Sequence, residues 1–367
     1  MASHPLGVGM IGCGMIGHIH AAGLAHMVED GEVRPVAAAD PSEEARVGAP
    51  RNCRFERLHA DGLEVIEDAE VEAVMITSPT ATHRHLVLAT LAAGKPLLCE
   101  KPLAQQFSIV RELHDAVVAS GVTAQVGFHT RFNYLANRLH ELVRTGEVGV
   151  PMGYVLRDDQ YWPTGQVVPG HSSWRSDRAV AGGGALLEHT IHGIDIACWL
   201  FGPPVRVWGR TRAVFGYEVE DTAAVTVEHA DGTIGSIVTV FNGVRGREET
   251  RFEIFFEQAT VETTIGFVVG AHEDSYMLQR ADTAPERPDL AAMREAHFRA
   301  LGISRRDFFF PTYPSDRAWV QSVRAGTPAS PGFADALRAH TLVEAAYRAA
   351  TSGSPIECEG DLAPVVP

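Results

Sequence analysis

The stretch that most limits how this chain can fold is Leu6 to Gly17. It is a short apolar run of strand type followed at once by Gly12-Cys13-Gly14-Met15-Ile16-Gly17, with a helical stretch from Ile16 to about Glu29. Strand, glycine turn and helix in that order make a cradle for an anion. Gly12 permits the tight turn, Gly14 lets a pyrophosphate approach the backbone, and Gly17 allows close helix packing. Met15 and Ile16 open the helix whose N-terminal N–H groups hold the negative charge. A second apolar run, Val33 to Ala39, ends in Asp40, 23 residues after Gly17. A carboxylate at that point accepts both hydroxyls of an adenine ribose. It also repels a 2′-phosphate, and the nearest basic group, Arg46, lies some way along the next helix. NAD is therefore expected in preference to NADP.

The alternation continues. Leu63 to Asp68, His83 to Ala93 and Phe107 to Ser120 read as helices; Ala73 to Thr77, Pro96 to Cys99 and Thr123 to Gly127 read as strands. Strands separated by helices make right-handed crossovers and a mostly parallel, doubly wound sheet. We assign this Rossmann domain to residues 1–127. Ligands in such sheets lie beyond the carboxyl ends of the strands. One of these ends carries Ser78, Pro79, Thr80 and His83, readable either as cofactor contacts or as a helix cap with proline punctuation. Another carries Glu100-Lys101-Pro102, where the lysine is placed to hydrogen-bond a reacting oxygen as negative charge develops on it.

From residue 128 the character changes. After a helix over Phe132 to Thr145, six runs of strand type follow: Met152 to Arg157, Val205 to Phe215, Asp221 to Glu228, Thr233 to Phe241, Thr250 to Phe256 and Ala259 to Thr264. Strands in succession predict an α+β domain over 128–367 with a large, open, mainly antiparallel sheet. Tyr161 to Asp177, containing Trp162, Pro163, Gly165, Pro169, Gly170, Trp174 and Arg175, has the composition of a long functional loop. Between Gly266 and Asp316 only a helix around Leu290 to Leu301 is assignable, and Asp335 to Ser352 is a closing Ala-rich helix.

One helix interrupts the strands, Gly184 to Phe201, within GGGALLEHTIHGIDIACWLFG at 182–202. At about 100° per residue, Leu187, Ile191, Ile194 and Cys198 form an apolar stripe, while Glu188, His192 and Asp195 form a second stripe beside it. Such a polar stripe is a solvated face, a set of groups that exchange protons or grip hydroxyls, or three ligands for a metal. Gly182 to Gly184 leave the entrance free of side chains, so something approaches closely there.

Composition excludes several classes. A net charge of −15 disfavours a nucleic-acid backbone as partner. No apolar run approaches a membrane span, and the start MASHPLGVGMIG lacks the basic flank of a signal peptide, so cytoplasmic residence is expected. Five scattered cysteines, none in a C-x-x-C pair, suggest neither a disulfide framework nor a zinc site.

GCGMIG at 12–17, AAAD at 37–40, SPTATH at 78–83, EKP at 100–102, WRSD at 174–177 and GGGALLEHTIHGID at 182–195 together resemble the Gfo/Idh/MocA oxidoreductases. The resemblance spans almost the whole chain. It implies hydride transfer between NAD and a hydroxyl or ketone of a sugar, inositol or related polyol, in a homo-oligomer (dimer or tetramer) formed through the open sheet. Within it Lys101 contacts substrate and cofactor and His192 is the acid/base. Glu188 stands where inositol dehydrogenases commonly have an aspartate, and Asp195 binds a substrate hydroxyl or orients the histidine. Trp174 and Arg131 are further substrate candidates, and Arg175 and Glu100 join the cofactor set. Arg131, Arg157 and Arg175 are the groups that would accept a substrate carboxylate. Hydride transfer with a lysine partner needs no metal. Alternatives are a redox-cycling member with tightly bound NAD, oxidising a glycoside ahead of elimination or hydrolysis, and a non-catalytic nucleotide sensor on the same fold.

Overall fold

The computed structural model describes residues 4–48, 53–161, 173–242, 244, 248–266, 274–303 and 312–358. It divides into two compact units, one of residues 1–129 with 305–337, the other of 130–304 with 338–367.

The first unit is built on a six-stranded sheet of order β3-β2-β1-β4-β5-β6, parallel throughout. Its strands are β1 (Leu6–Ile11), β2 (Val33–Ala39), β3 (Arg57–His59), β4 (Ala73–Ile76), β5 (Leu97–Cys99) and β6 (Ala124–Val126). Every residue of β1, β4, β5 and β6 is buried, as expected of strands covered on both faces by helices. The connecting helices are α1 (Met15–Glu29), α2 (Glu43–Gly48), α3 (Gly62–Glu67), α4 (His83–Ala92) and α5 (Phe107–Ser120). The order reverses at β1/β4, which puts the glycine turn after β1 at the switch point where such sheets bind ligands.

Residues 312–337, which the sequence division assigns to the second domain, pack in this unit. The reason is a helix that the sequence pattern does not reveal, α10 (Thr312–Ala325). Its first turn is buried, and it is tied down by polar contacts. Gln125 Nε2 donates to the Ser315 carbonyl and hydroxyl at 3.0 Å each, and Arg317 pairs with Glu32 at 2.9 Å.

The second unit carries α6 (Tyr134–Thr145), α7 (Arg178–Ala181), α8 (Ile191–Phe201) and α9 (Leu290–Ala300) beside an eight-stranded sheet. The strands are β7 (Pro151–Tyr161), β8 (Pro204–Arg212), β9 (Thr222–His229), β10 (Ile234–Asn242), β11 (Glu249–Phe256), β12 (Ala259–Ile265), β13 (Ser275–Arg280) and β14 (Ile356–Glu357). They lie in the order β13-β12-β11-β7-β10-β9-β8-β14, antiparallel except for the parallel pair β10–β7. Alternating burial along β9, β10 and β12 marks a sheet with one covered face and one open face. Register places Trp208, Thr226, Ser236 and Val155 in one row across the open face. The terminal helix α11 (Phe333–Ser352) follows the expected Ala-rich pattern.

Candidate functional site

In the first unit the glycine turn is shaped as the sequence predicts. Gly12 has φ +103°, and a Cβ there would lie 2.5 Å from the Ser78 backbone nitrogen. A Cβ on Gly17 would lie 2.2 Å from the Gly12 carbonyl oxygen, whereas one on Gly14 would meet nothing within 4 Å. The turn is thus crowded from inside and open outside, where Gly14 and Met15 are exposed at the start of α1 and Ile16 is half-buried. Asp40 is drawn across it: Oδ2 accepts the Cys13 N–H and Oδ1 the Ser42 N–H, both at 2.8 Å. Each oxygen keeps a lone pair for a ribose hydroxyl. Arg46 donates to the Asp40 carbonyl at 2.8 Å, closer to the acid than its sequence distance suggests. Open room at a helix N-terminus with a carboxylate at the next strand end fits a dinucleotide.

The neighbouring strand ends converge here. Thr77 Oγ1 donates to the Gly12 carbonyl at 2.7 Å, and Ser78 Oγ lies 2.6 Å from Thr82 Oγ1 in the turn that holds Pro79 and buried Thr80. His83 is wholly buried, its Nε2 2.9 Å from the Ser78 carbonyl oxygen and its Nδ1 3.0 Å from that of Pro102. It ties the Ser78 turn to the Lys101–Pro102 turn, and burial lowers its pKa below the ordinary histidine value. Glu100 is buried, with Oε2 accepting the Lys101 N–H at 3.3 Å, while Lys101 is half-buried and followed by a cis peptide to Pro102. Burial raises Glu100, but His20, His129 and Lys101 outweigh it and hold the carboxyl below its usual range.

In the second unit the predicted long helix is not one helix. Ala185–His189 is a π-helical turn, and α8 starts only at Ile191. The expected polar stripe is no solvated face either, because Glu188, His192 and Asp195 are all buried, at 5%, 3% and 1% exposure. Burial without cost requires partners. Asp195 accepts two hydrogen bonds from Arg131, Nε to Oδ2 at 2.7 Å and Nη2 to Oδ1 at 2.6 Å, and the guanidinium lies 5.3 Å from the Trp199 ring centre. Arg175 Nε donates to Glu188 at 3.2 Å, and its guanidinium stacks on Trp174 at 4.4 Å. Arg157 pairs with Asp159 and, at 3.2 Å, with Glu249. The remainder of the expected functional loop, 162–172, lies outside the described residues.

The triple glycine has a different cause from the one expected. A Cβ on Gly184 would lie 1.7 Å from the Glu220 carbonyl oxygen, and one on Gly183 2.2 Å from the Tyr347 hydroxyl. What approaches the entrance is the protein's own backbone and a tyrosine. Buried Glu220 accepts the N–H of Gly184 at 2.9 Å and of Leu186 at 3.0 Å, and the Tyr347 hydroxyl donates to it at 2.9 Å. It supplies the acceptor that the start of the π-helical turn lacks. A second buried set, His189 Nε2 3.2 Å from Asp158 Oδ1, with Thr250 donating to the same oxygen at 2.6 Å, was equally invisible in the sequence. Only the odd sight of two acids inside a strand, Asp158-Asp159, hinted at it. Among the described residues no group of three or more His, Cys, Asp and Glu is arranged to hold a metal ion, and no helix is long and apolar enough to cross a membrane.

Residues 6–128 match the model of the oxidoreductase family with an NAD-binding Rossmann fold, and residues 136–262 match that of the GFO/IDH/MocA C-terminal domain. Inositol 2-dehydrogenase of Rubrobacter xylanophilus is 30% identical over 366 residues, 97% of this chain and 94% of the relative. Myo-inositol 2-dehydrogenase of Thermotoga maritima is 30% identical over 270 residues, 70% of this chain and 77% of the relative. A levoglucosan dehydrogenase solved with NADH and L-sorbose has the same fold, with a TM-score of 0.85 at 23% identity, covering 98% of this chain and all of that one. The two halves of the pattern, a dinucleotide cradle in one unit and a buried Glu-His-Asp segment beside an open sheet in the other, thus belong together, and the chain is a member of the GFO/IDH/MocA oxidoreductase family with an NAD-binding Rossmann domain.

Proposed function

We propose that this oxidoreductase moves a hydride between NAD and a secondary hydroxyl of a neutral polyol, an inositol or a sugar. The observation that carries the choice of a neutral substrate is the pairing of Arg131, Arg157 and Arg175, each already bound to a carboxylate of its own unit. A substrate carboxylate would have to displace an internal one, whereas hydroxyls need only the remaining lone pairs and N–H groups. The names of the relatives, inositol and myo-inositol 2-dehydrogenase, support the same class.

Bound NAD supplies the hydride acceptor. Gly12, Gly14, Gly17, Met15 and Ile16 cradle its pyrophosphate, Asp40 takes the adenine ribose, and Ser78, Pro79, Thr80, His83 and Glu100 shape the remaining wall. Lys101 donates a hydrogen bond to the reacting oxygen and stabilises negative charge as it forms, while His192 takes the hydroxyl proton. Glu188, steadied by Arg175 on Trp174, and Asp195, steadied by Arg131, orient the histidine and the neighbouring hydroxyls. We also infer a homo-oligomer, dimer or tetramer, formed through the open sheet face on which Val155, Trp208 and Val238 are exposed, and residence in the reducing cytoplasm, in keeping with five free cysteines.

A panel of inositols, aldoses and uronic acids with NAD, followed by absorbance of the reduced nicotinamide, tests this reading. Net NADH accumulation with a neutral polyol, lost on the order of a hundredfold or more in Lys101→Ala and His192→Ala, is expected. Uronic acids as the only substrates, or near-normal turnover in Lys101→Ala, would sink it.

A further inference from the structure

The π-helical turn that carries Glu188 is held at both ends by buried polar groups that this mechanism leaves unused. At its start Glu220 takes three successive N–H groups: its carboxylate accepts those of Gly184 and Leu186, and its carbonyl that of Ala185 at 3.0 Å. At its end the segment meets a polar row in the sheet. Register sets Thr239 of β10 and Thr250 of β11 on either side of Asp158 of β7, and all three are buried. Two residues along the same strands, Ile237, Leu156 and Phe252 make a buried apolar row, and a Cβ on Gly193 of α8 would lie 2.8 Å from the Leu156 side chain. The segment thus lies with Gly193 over the apolar row and with His189 and Thr190 over the polar one. His189 Nε2 is 3.2 Å from Asp158 Oδ1, to which Thr250 also donates at 2.6 Å, and the Thr190 and Thr239 hydroxyl oxygens are 2.6 Å apart. Burial raises Asp158, but His189, Thr250 and Thr190 outweigh it and hold the carboxyl below its ordinary value. A carboxylate only accepts, so His189 donates to it from Nε2.

A buried ionised row adds little net stability over an apolar one, because desolvation offsets most of what its contacts gain. The turn that sits on it is irregular. The Thr190 N–H bonds the Ala185 carbonyl at 3.0 Å, five residues back, where a regular helix would use that of Leu186. A slip to the regular bond would rotate Glu188 relative to His192. We propose that what the row contributes is register: Thr239, Asp158 and Thr250 seat the π-helical turn. His189, by donating to Asp158, is then a positioning residue that fixes the angle between Glu188, just before it, and His192, three residues on. The part of this that concerns turnover rests on the dehydrogenase reading above.

Hydrogen exchange over residues 184–192, read by peptide mass spectrometry in the full chain without substrate, tests the seat apart from turnover. His189→Leu removes the donor and is expected to speed exchange there by about tenfold, the scale of one lost buried hydrogen bond. His189→Gln, whose amide nitrogen stands near the place of Nε2, is expected to restore most of the protection. With myo-inositol and NAD, kcat should fall by about tenfold or more in His189→Leu and recover in His189→Gln, while KM for NAD stays within about twofold. Wild-type exchange in a His189→Leu variant that melts cooperatively overturns the proposal. So does a His189→Gln variant as impaired as His189→Leu, which marks lost shape and not a lost donor. Full kcat in His189→Leu beside a lowered melting temperature overturns it too, as the mark of a structural contact only. If His189→Leu does not fold, Thr239→Val, which takes away the hydroxyl that meets Thr190, is read in the same way against Thr239→Ser, which keeps it. Faster exchange in His189→Leu of a chain whose wild type oxidises no polyol upholds the seat and removes the dehydrogenase reading alone.

Discussion

Asp195 and Arg131 hold each other by two parallel hydrogen bonds of 2.6 and 2.7 Å, with side chains only 1% and 6% exposed. Two residues that the sequence offers as separate substrate contacts are thus one buried bidentate pair, and the arginine cannot greet a substrate carboxylate without abandoning its own. The pair also explains how a charged residue sits on α8, a helix buried on nearly all sides.

Breaking the pair from one side leaves a charge stranded. Arg131→Met is expected to cost about 3–5 kcal/mol in urea unfolding, and Arg131→Met with Asp195→Leu to recover most of that, as paired removal leaves no orphan. Equal losses in the single and double variants would show that the cost of Arg131→Met is not that of a stranded carboxylate.

Stability should depend on pH with a maximum near the ordinary histidine value of 6.5. Burial would lower His20, but Asp316 and Glu100 outweigh it and raise it to about 10 in the folded chain, so its contribution is complete below 6.5 and is lost as pH climbs through 10. Burial lowers His129 to about 4, so its contribution is present above 6.5 and is lost as pH falls through 4. Urea midpoints across this range should fall on both sides, and His20→Gln should flatten the alkaline side only.

Gly184→Ala is expected to disrupt the π-helical turn, because a Cβ 1.7 Å from a backbone oxygen cannot be relieved by a side-chain rotation. Glu220→Gln keeps the volume but places an N–H₂ against one of the two backbone donors, Gly184 or Leu186, at about 1–3 kcal/mol. Both variants should lose polyol turnover along with stability while NAD affinity is retained, measured by cofactor titration against thermal melting.

Cofactor choice should turn on Asp40. Asp40→Gly removes the repulsion toward a 2′-phosphate and leaves Arg46 close by, tied to the Asp40 carbonyl at 2.8 Å. The ratio of kcat/KM for NADP over NAD is expected to rise by about tenfold or more, the scale of one lost charge contact. An unchanged ratio would show that another group excludes the phosphate.

The Rossmann unit was legible in the sequence because its signals are local. Strand runs, the Gly12–Gly17 turn and the acid at Asp40 are each written within a few residues, and period and turn chemistry act at that range. The order of sheets and the family followed from the same marks. What the linear pattern does not carry is which side chains meet across the fold. His20 finds Asp316 at a separation of 296 residues, Arg131 finds Asp195 at 64, and Gly184 finds Glu220 at 36. The helix rule sets Glu188, His192 and Asp195 on one stripe and by itself leaves open whether that stripe faces water, exchanges protons or holds a metal. They are buried because each acid has an arginine from elsewhere in its unit, and the π-helical turn at Ala185–His189 alters the angle between Glu188 and His192 that a regular helix would set. Sequence alone determined that a dinucleotide cradle and a stripe of ionisable residues on an otherwise apolar helix exist in one chain. Only tertiary packing decided which of their charges are already spent, since burial makes every charge depend on the partner that folding brings to it.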